Sequence, residues 1–409
     1  MNKLTFPQGF LWGSATAAHQ IEGNNVHNDW WEWEHSGQRA TELGKQNKNA
    51  SDYYSGIACD SYNRYEEDFD IAKSLNQNAH RLSIEWSRIE PKQGEYDHAE
   101  VEHYRKVLHA LKSRGMKTFV TMHHYTVPAW FAQIGGFEKR ENIKYFLNFV
   151  GKVTAELKNL INFVCVINEP EIYATFAYGV GKFPPQKHGI RRATLVGDHL
   201  AEAHVKSYKI IKAADPTIQV GTAQGISYRS YSLMMKLFTG YAESLAYKRF
   251  LHRVINHTDF LGLQYYSHQT VTFNFRPPFI HTAPVKKGRP VNDLGWEIYP
   301  EGIFELLRRL RKYGKPIYIT ENGTADAKDA FREKFIRDHL RMVYRAIKAG
   351  ADVRGYFHWS LIDNFEWAEG FAPRFGLVEI DRENNLARKI RPSAHVYAEI
   401  CKNNFLESE

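Results

Sequence analysis

The sequence has 409 residues, 43% hydrophobic and 24% charged, a composition that excludes a disordered, collagen-like or membrane-spanning chain and suits an ordinary globular protein. Its three cysteines, Cys59, Cys165 and Cys401, are odd in number and far apart, which argues against both a disulfide framework and a metal-ligand cluster. The net charge of +8 invites a nucleic-acid partner, but the densest basic run (Arg308, Arg309, Arg311, Lys312 and Lys315) closes a helical pattern formed by Ile303, Leu306, Leu307 and Leu310, where cations complement the helix dipole.

The start, MNKLTFPQGFLWG, has no signal-peptide core, and no 18-residue apolar run occurs, so the expectation is a cytoplasmic protein with no membrane partner. Along the chain, β-rich apolar runs fall at 10–16, 79–85, 117–123, 162–168, 218–223, 259–265, 316–321 and 353–359. Amphipathic helical patterns lie between them. Val101, Tyr104, Leu108 and Leu111 repeat at three- and four-residue spacing and stop at Gly115; Ile336, Leu340, Val343 and Ile347 do the same before Gly350. Cys165 falls inside an apolar run and reads as a small buried hydrophobe.

Eight such units predict an α/β fold, a single (β/α)8 TIM barrel occupying residues 1–409 as one domain, with some connections long enough to hold extra elements. No GxGxxG follows the first strand, so a dinucleotide-binding sheet has no specific support.

Barrel sites form at the C-terminal ends of the strands, and here those ends are polar and acidic. They carry Gln20 and Glu22 after strand 1, Arg81 and Glu85 on strand 2, and His123-His124 on strand 3. Asn168-Glu169 ends strand 4, Gln264-Tyr265-Tyr266 strand 6, Glu321-Asn322 strand 7 and His358-Trp359 strand 8. Two glutamates at strand ends across a barrel mouth have the residue types that glycoside hydrolysis requires. Read singly, each could equally be a helix-capping or salt-bridged carboxylate. Aromatics beside carboxylates, as in Trp30-Trp31-Glu32-Trp33 and Phe365-Glu366-Trp367, suit a ligand with flat C–H faces and hydroxyls.

The segments FPQGFLWGSATAAHQIEG, HRLSIEWSRIEP, TMHHYTVPAW, INEP, DFLGLQYY, GWEIYPEG, YITENG and HWSLIDNFEWAEGFAPRFGL follow in order over residues 6–397. Together they resemble glycoside hydrolase family 1, the β-glucosidases, β-galactosidases and their relatives. The resemblance implies a retaining, exo-acting β-glycosidase for unphosphorylated glucosides, galactosides or fucosides; no cofactor is expected, and the lack of HExxH or comparable ligand spacing argues against a metal. It implies Glu321 as nucleophile, held by Arg81 and Tyr266, Glu169 as acid/base, and Asn168 as partner of the sugar 2-hydroxyl. Gln20, His124, Glu366 and Trp367 match the residues that bind the outer hydroxyls, Trp359 matches the platform under the ring, and Trp296 resembles a wall of the aglycone site. Tyr125, Gln264 and Phe375 complete the implied substrate-binding set.

Glu366 favours an unphosphorylated sugar, because branches that act on 6-phosphorylated sugars replace this acidic position. Three departures from the pattern stand out. Gln264 replaces a usual Asn, pushing its amide toward the sugar or the nucleophile. Tyr125 replaces a common Trp, which changes the packing near the glycone. The chain is also short, with residues 227–249 differing most.

Blander roles are expected elsewhere. Neighbours on a strand face opposite ways, so one of His123 and His124 should pack in the wall while the other faces the site, and the two should not share a metal. Glu85 and Glu90 should be structural, paired with arginines such as Arg88, and His19 should support the site by packing or hydrogen bonding. Ser14 lacks a GxSxG elbow. The competing readings are a non-catalytic sugar-binding barrel and a transglycosylating relative. A small β-glycoside or oligosaccharide is the expected partner, and no nucleic acid is; the sequence carries nothing on oligomeric state.

Overall fold

The structure is a computed structural model that describes residues 3–231, 247–273 and 280–407. Eight strands close into a parallel barrel: β1 Leu11–Ala15, β2 Ala79–Ser83, β3 Lys117–His123, β4 Phe163–Asn168, β5 Gln219–Gly225, β6 Leu261–Tyr265, β7 Ile317–Asn322 and β8 Val353–Trp359. Each pairs with its neighbour in sequence, and β8 closes on β1 through Gly355–Leu11 to Trp359–Ala15. All eight fall on the predicted apolar runs, with ends differing by at most a few residues.

One main helix follows each strand: α1 Ser61–Ser74, α2 His98–Ser113, α3 Ile143–Leu157 and α4 Ile190–Ala214 in the first half. The second half adds α5 Tyr247–Val254, α6 Glu301–Leu310, α7 Arg332–Lys348 and α8 Pro392–Asn403. Their limits follow from local chemistry. Asp97 caps α2 by accepting from the amides of Ala99 (2.8 Å) and Glu100 (3.3 Å), and Val101, Tyr104, Leu108 and Leu111 form its buried face. Asp326 accepts from the Phe331 and Arg332 amides at 2.8 Å to start α7, whose buried face includes Ile336, Leu340 and Val343. Gly115 and Gly350, at φ 70° and 88°, let the chain leave both helices in the left-handed region.

The barrel's lower interior is a plug of aromatic rings. Phe119 of β3 stacks on Phe163 of β4 with centroids 4.0 Å apart, and meets Phe357 at 4.6 Å, Tyr318 at 5.4 Å and Phe260 at 5.8 Å. Gly221 on β5 makes room for this layer, because a Cβ there would come within 2.5 Å of the Phe260 ring.

Two additions matter for function. Tyr228–Tyr231, His268–Phe273 and Ile280–Thr282 build a three-stranded sheet from the chain that leaves β5 and β6, above the barrel mouth. Of the stretch 227–249, expected to differ most from relatives, residues 232–246 lie outside the described residues. At the opposite end, Lys3–Thr5 pairs antiparallel with Phe405–Glu407.

The expected pairing of Glu85 and Glu90 with Arg88 is corrected. Arg88 instead bonds Glu22 at 2.8 Å and approaches Glu100 at 3.8 Å, because the loop after β1 brings Glu22 over the start of the chain leaving β2. Glu85 caps the short helix Trp86–Ile89 through Ser87 (2.7 Å to its hydroxyl) and accepts from Thr126 at 2.9 Å. Glu90 accepts from the Trp86 indole and the Gly94 amide, both at 2.8 Å. Both are structural, through uncharged donors. The basic run at the end of α6 is engaged locally: Arg308 bonds Glu305 at 2.9 Å and Arg309 lies over the Tyr228 ring. Among the described residues, no helix is long and apolar enough to cross a membrane.

Candidate active site

A cavity of about 620 Å³ opens at the C-terminal ends of the strands. All the predicted site residues except Arg81 and Gln20 line it, and those two stand directly behind lining residues.

Glu321, near the end of β7, is held on both oxygens. Its Oε1 takes an ion pair from Arg81 and a hydrogen bond from Gln264 Nε2 at 2.7 Å, and its Oε2 accepts from the Tyr266 hydroxyl at 2.5 Å. Arg81 is wholly buried on β2, and its other terminal nitrogen donates to Asn168 Oδ1 at 2.6 Å, which also accepts from Gln264 at 2.8 Å. The longer side chain of Gln264 thus reaches Glu321, as its extra methylene suggests. Burial lifts the Glu321 carboxyl above its ordinary value, while the Arg81 charge and the Tyr266 hydroxyl act against that rise.

Asn168 has its oxygen doubly occupied, so its amide N–H must be what meets His124 Nε2 at 3.1 Å. His124 accepts there, which puts its proton on Nδ1; burial and then the Arg81 charge hold this ring well below its ordinary pKa and neutral.

Glu169 follows β4 and heads the helix Pro170–Tyr178, with Pro170 at the first helical position. Its backbone is left-handed, φ 41°, which turns the side chain into the mouth. A Cβ on Gly225 at the end of β5 would strike the Glu169 carboxyl, so only glycine leaves that space. The carboxyl is pushed up to about 8, first by burial and then by the neighbouring Glu321 charge, with the Tyr125 hydroxyl and Arg81 opposing. Tyr125, expected to alter packing beside the glycone, also donates its phenol hydrogen bond to Glu169 Oε2. That contact joins residues 44 apart in sequence and depends on a left-handed backbone at Tyr125, φ 72°.

Glu366 forms a second acidic corner, also pushed up to about 8 by burial and the Glu321 charge, with hydrogen bonds from Trp359 and Gln20 acting the other way. Gln20 donates to Asn364 Oδ1 and the Phe365 carbonyl at 2.9 and 2.8 Å, and to Glu366 at 3.3 Å. Trp367, a third left-handed residue at φ 53°, is backed by His19, stacked at 5.8 Å, and by Trp30 at 4.6 Å. His19 is fixed by Glu34 at 2.8 Å and Asn28 at 3.0 Å, the supporting role expected of it. Trp296 is 38% exposed and forms an outer wall with Tyr266 and Phe375. His123 turns away and packs on Tyr173, Phe137 and Phe146, as strand alternation predicts.

Sequence reasoning missed Ile172, Phe176, Lys182 and Phe183, which line the cavity beside Glu169, and the His268–Glu297 pair at 2.6 Å on its far side. Their signal is position within long connections after β4 and β6, with Glu297 also inside the segment GWEIYPEG.

Besides Arg81 Nε, three side chains here each keep a buried polar atom without a partner among the described residues: Gln20 Oε1, His124 Nδ1 and Gln264 Oε1. Buried polar atoms are nearly always satisfied. Two acceptors and a donor, beside two tryptophans and three carboxyls, fit a compact ligand rich in hydroxyls.

Comparison with known proteins agrees. The profile of glycosyl hydrolase family 1 matches residues 2–232 and 231–406. Beta-glucosidase A of Acetivibrio thermocellus is 30% identical over 99% of this chain and 100% of its own length, and a beta-galactosidase of Pyrococcus woesei is 28% identical over 98% and 97%. Among solved structures, a beta-glycosidase from Pyrococcus horikoshii superposes with a TM-score of 0.90 at 35% identity, covering 100% of this chain and 97% of that one. The Thermotoga maritima beta-glucosidase in complex with azafagomine gives 0.88 at 28% identity, covering 99% and 100%. The chain belongs to glycosyl hydrolase family 1 and is a glycoside hydrolase.

Proposed function

We propose that this enzyme removes unphosphorylated β-D-glucosyl, β-D-galactosyl or β-D-fucosyl units from the non-reducing end of small glycosides, with retention at the anomeric carbon. The observation that carries the reading is the unequal treatment of two buried carboxyls. Glu321 is bound by a guanidinium, an amide and a phenol, which favours its anion, whereas Glu169 has no cation bonded to it among the described residues and is pushed up to about 8. Such a pair divides into nucleophile and proton donor.

In the first step Glu321 attacks C1 while Glu169 gives its proton to the departing glycosidic oxygen. The bond from C1 to Glu321 neutralises that carboxylate and removes the charge that held the proton on Glu169. Glu169 then takes a proton from water as water attacks C1 and Glu321 leaves. Asn168, fixed by Arg81, Gln264 and His124, is suited to the 2-hydroxyl; Gln20, His124, Glu366 and Trp367 suit the outer hydroxyls, and Trp359 the ring face. A 6-phosphate would bring further negative charge into a cavity that already holds the Glu321 anion beside Glu366, which disfavours it. Relatives named as beta-glucosidase and beta-galactosidase support the choice of glycone.

The test is turnover of nitrophenyl β-glucoside, β-galactoside, β-fucoside and β-mannoside by wild type, Glu321→Gln and Glu169→Gln, with the first-formed anomer read by proton NMR. The expected first product is the β anomer; an α anomer would replace the double displacement with a single one. Glu169→Gln should lose about 10²–10⁴-fold in kcat/KM on alkyl leaving groups and far less on dinitrophenyl ones, whose departure in the first step needs no proton. Because the first step needs Glu169 protonated, wild-type kcat/KM should hold below pH 8 and fall as pH rises through about 8. A basic limb that persists in Glu169→Gln would assign the proton elsewhere.

A further inference from the structure

The hydrogen bond between Tyr125 and Glu169 has no place in the mechanism so far. The phenol donates to Oε2 of Glu169, while Oε1 is the oxygen that lies against Gly225. Tyr125 is itself immobile: it is 4% exposed, its ring packs on Phe183 at 5.4 Å and on Trp367 at 5.1 Å, and Tyr173 lies parallel to it at 6.4 Å. Its left-handed backbone is uncommon for a bulky residue, and such conformations persist where the surroundings over-determine them. The phenol stays protonated, because burial and then the Glu169 charge drive its pKa well above the ordinary value, so it is a permanent donor.

Resting on the assignment of Glu169 as acid/base, we propose that Tyr125 is its positioning residue: the phenol occupies Oε2, so that one oxygen, Oε1, both delivers the proton and takes it back. In the first step the proton passes from Oε1 to the glycosidic oxygen as the C1–O bond breaks and the bond from Glu321 to C1 forms. In the second, a water proton passes to Oε1 as the water oxygen bonds C1 and the Glu321 carboxylate departs. Tyr125 keeps its own proton throughout and stays neutral.

A donor on Oε2 also favours the charged form of Glu169. The other charges that bear on Glu169 are Glu321, Arg81 and Glu171. Glu366 and the Tyr266 hydroxyl interact with it across the cavity. None of these bonds directly to its carboxyl, so Tyr125 is the contact whose removal isolates the effect.

The experiment compares wild type, Tyr125→Phe and Glu169→Gln on a methyl and a dinitrophenyl β-glycoside across pH 4–10, with circular dichroism on each protein. Tyr125→Phe keeps the ring and loses the donor. The expected result is a basic limb of kcat/KM moved up by about one pH unit. A roughly tenfold lower kcat on the methyl glycoside should accompany it, with KM nearly unchanged. An unmoved limb with raised KM would make Tyr125 a wall of the sugar pocket and overturn the proposal. If instead the wild-type limb survives in Glu169→Gln, the acid/base assignment itself fails. The carboxyl titration of 13C-labelled Glu169, followed by NMR with and without Tyr125→Phe, then still decides whether the phenol holds it. That same titration serves if Tyr125→Phe proves inactive, and an unchanged midpoint there would refute the contact.

Discussion

The two ends of the barrel are built on the same strands and answer opposite demands. At the lower end, β3, β4, β7 and β8 contribute Phe119, Phe163, Tyr318 and Phe357, rings in van der Waals contact that carry no charge. A few residues further along the same strands stand His124, Glu169, Glu321 and Trp359, where three carboxyls and an arginine share a buried space. The floor is stable because it excludes water and needs no partners. The mouth holds charge out of water only because each group is bonded to the next: Arg81 to Glu321 and Asn168, Asn168 to His124, Tyr125 to Glu169. Stability and chemistry are thus separated along the strand axis, and substitutions at the two ends should separate in the same way.

The sharpest contrast comes from Glu321→Gln, which, on the proposed role of Glu321 as nucleophile, should lower kcat by at least about 10⁴-fold. Steady-state kinetics beside unchanged far-UV circular dichroism would check it. Retained turnover would break the division, because the mouth's main charge would then serve folding alone. Phe119→Ala tests the floor. Losing a ring that touches four others should cost about 3–5 kcal/mol in urea unfolding while leaving KM alone. A shifted KM would mean that floor packing sets the mouth's geometry.

The smallest effect belongs to Glu366. Its folded carboxyl is pushed from an ordinary 4.5 up to about 8, so the native state keeps a proton that the unfolded chain releases. The stability it supports is therefore complete below about pH 4.5 and is lost as pH rises through about 8. Glu366→Gln should flatten the fall in melting temperature between pH 5 and pH 8 and raise KM for the glycone. A slope identical to that of wild type would show that this corner does not couple to folding.

Much of this was legible in the sequence. Near-continuous apolar runs marked all eight strands, since a barrel strand is buried on both faces, and the polar residues ending those runs marked the mouth. Strand alternation separated His123 from His124. What escaped depends on loops meeting in space. Nothing at Tyr125 announces a hydrogen bond to a residue on the next strand's connection, and its left-handed backbone, like those of Glu169 and Trp367, has no glycine to signal it. Arg88 turned to Glu22 rather than to its sequence neighbours because the loop after β1 folds over the start of the chain leaving β2. Gly225 lies two residues past the predicted run 218–223, and it makes room for the Glu169 carboxyl.

The clasp of Lys3–Thr5 on Phe405–Glu407 sets Lys3 opposite Glu407, Leu4 opposite Leu406 and Thr5 opposite Phe405. It lies on the side where the strands begin, away from the mouth, and β8 is already the neighbour of β1. Residues 3–5 and 405–407, far apart in sequence, are therefore neighbours in space. A short peptide joining residues 3 and 407 would close the chain, and new ends could be opened in a connection on that same underside, leaving the order of strands around the barrel as it was. Anything fused to either end, a surface tether or a second enzyme, would hang below the barrel and leave the path of the substrate clear.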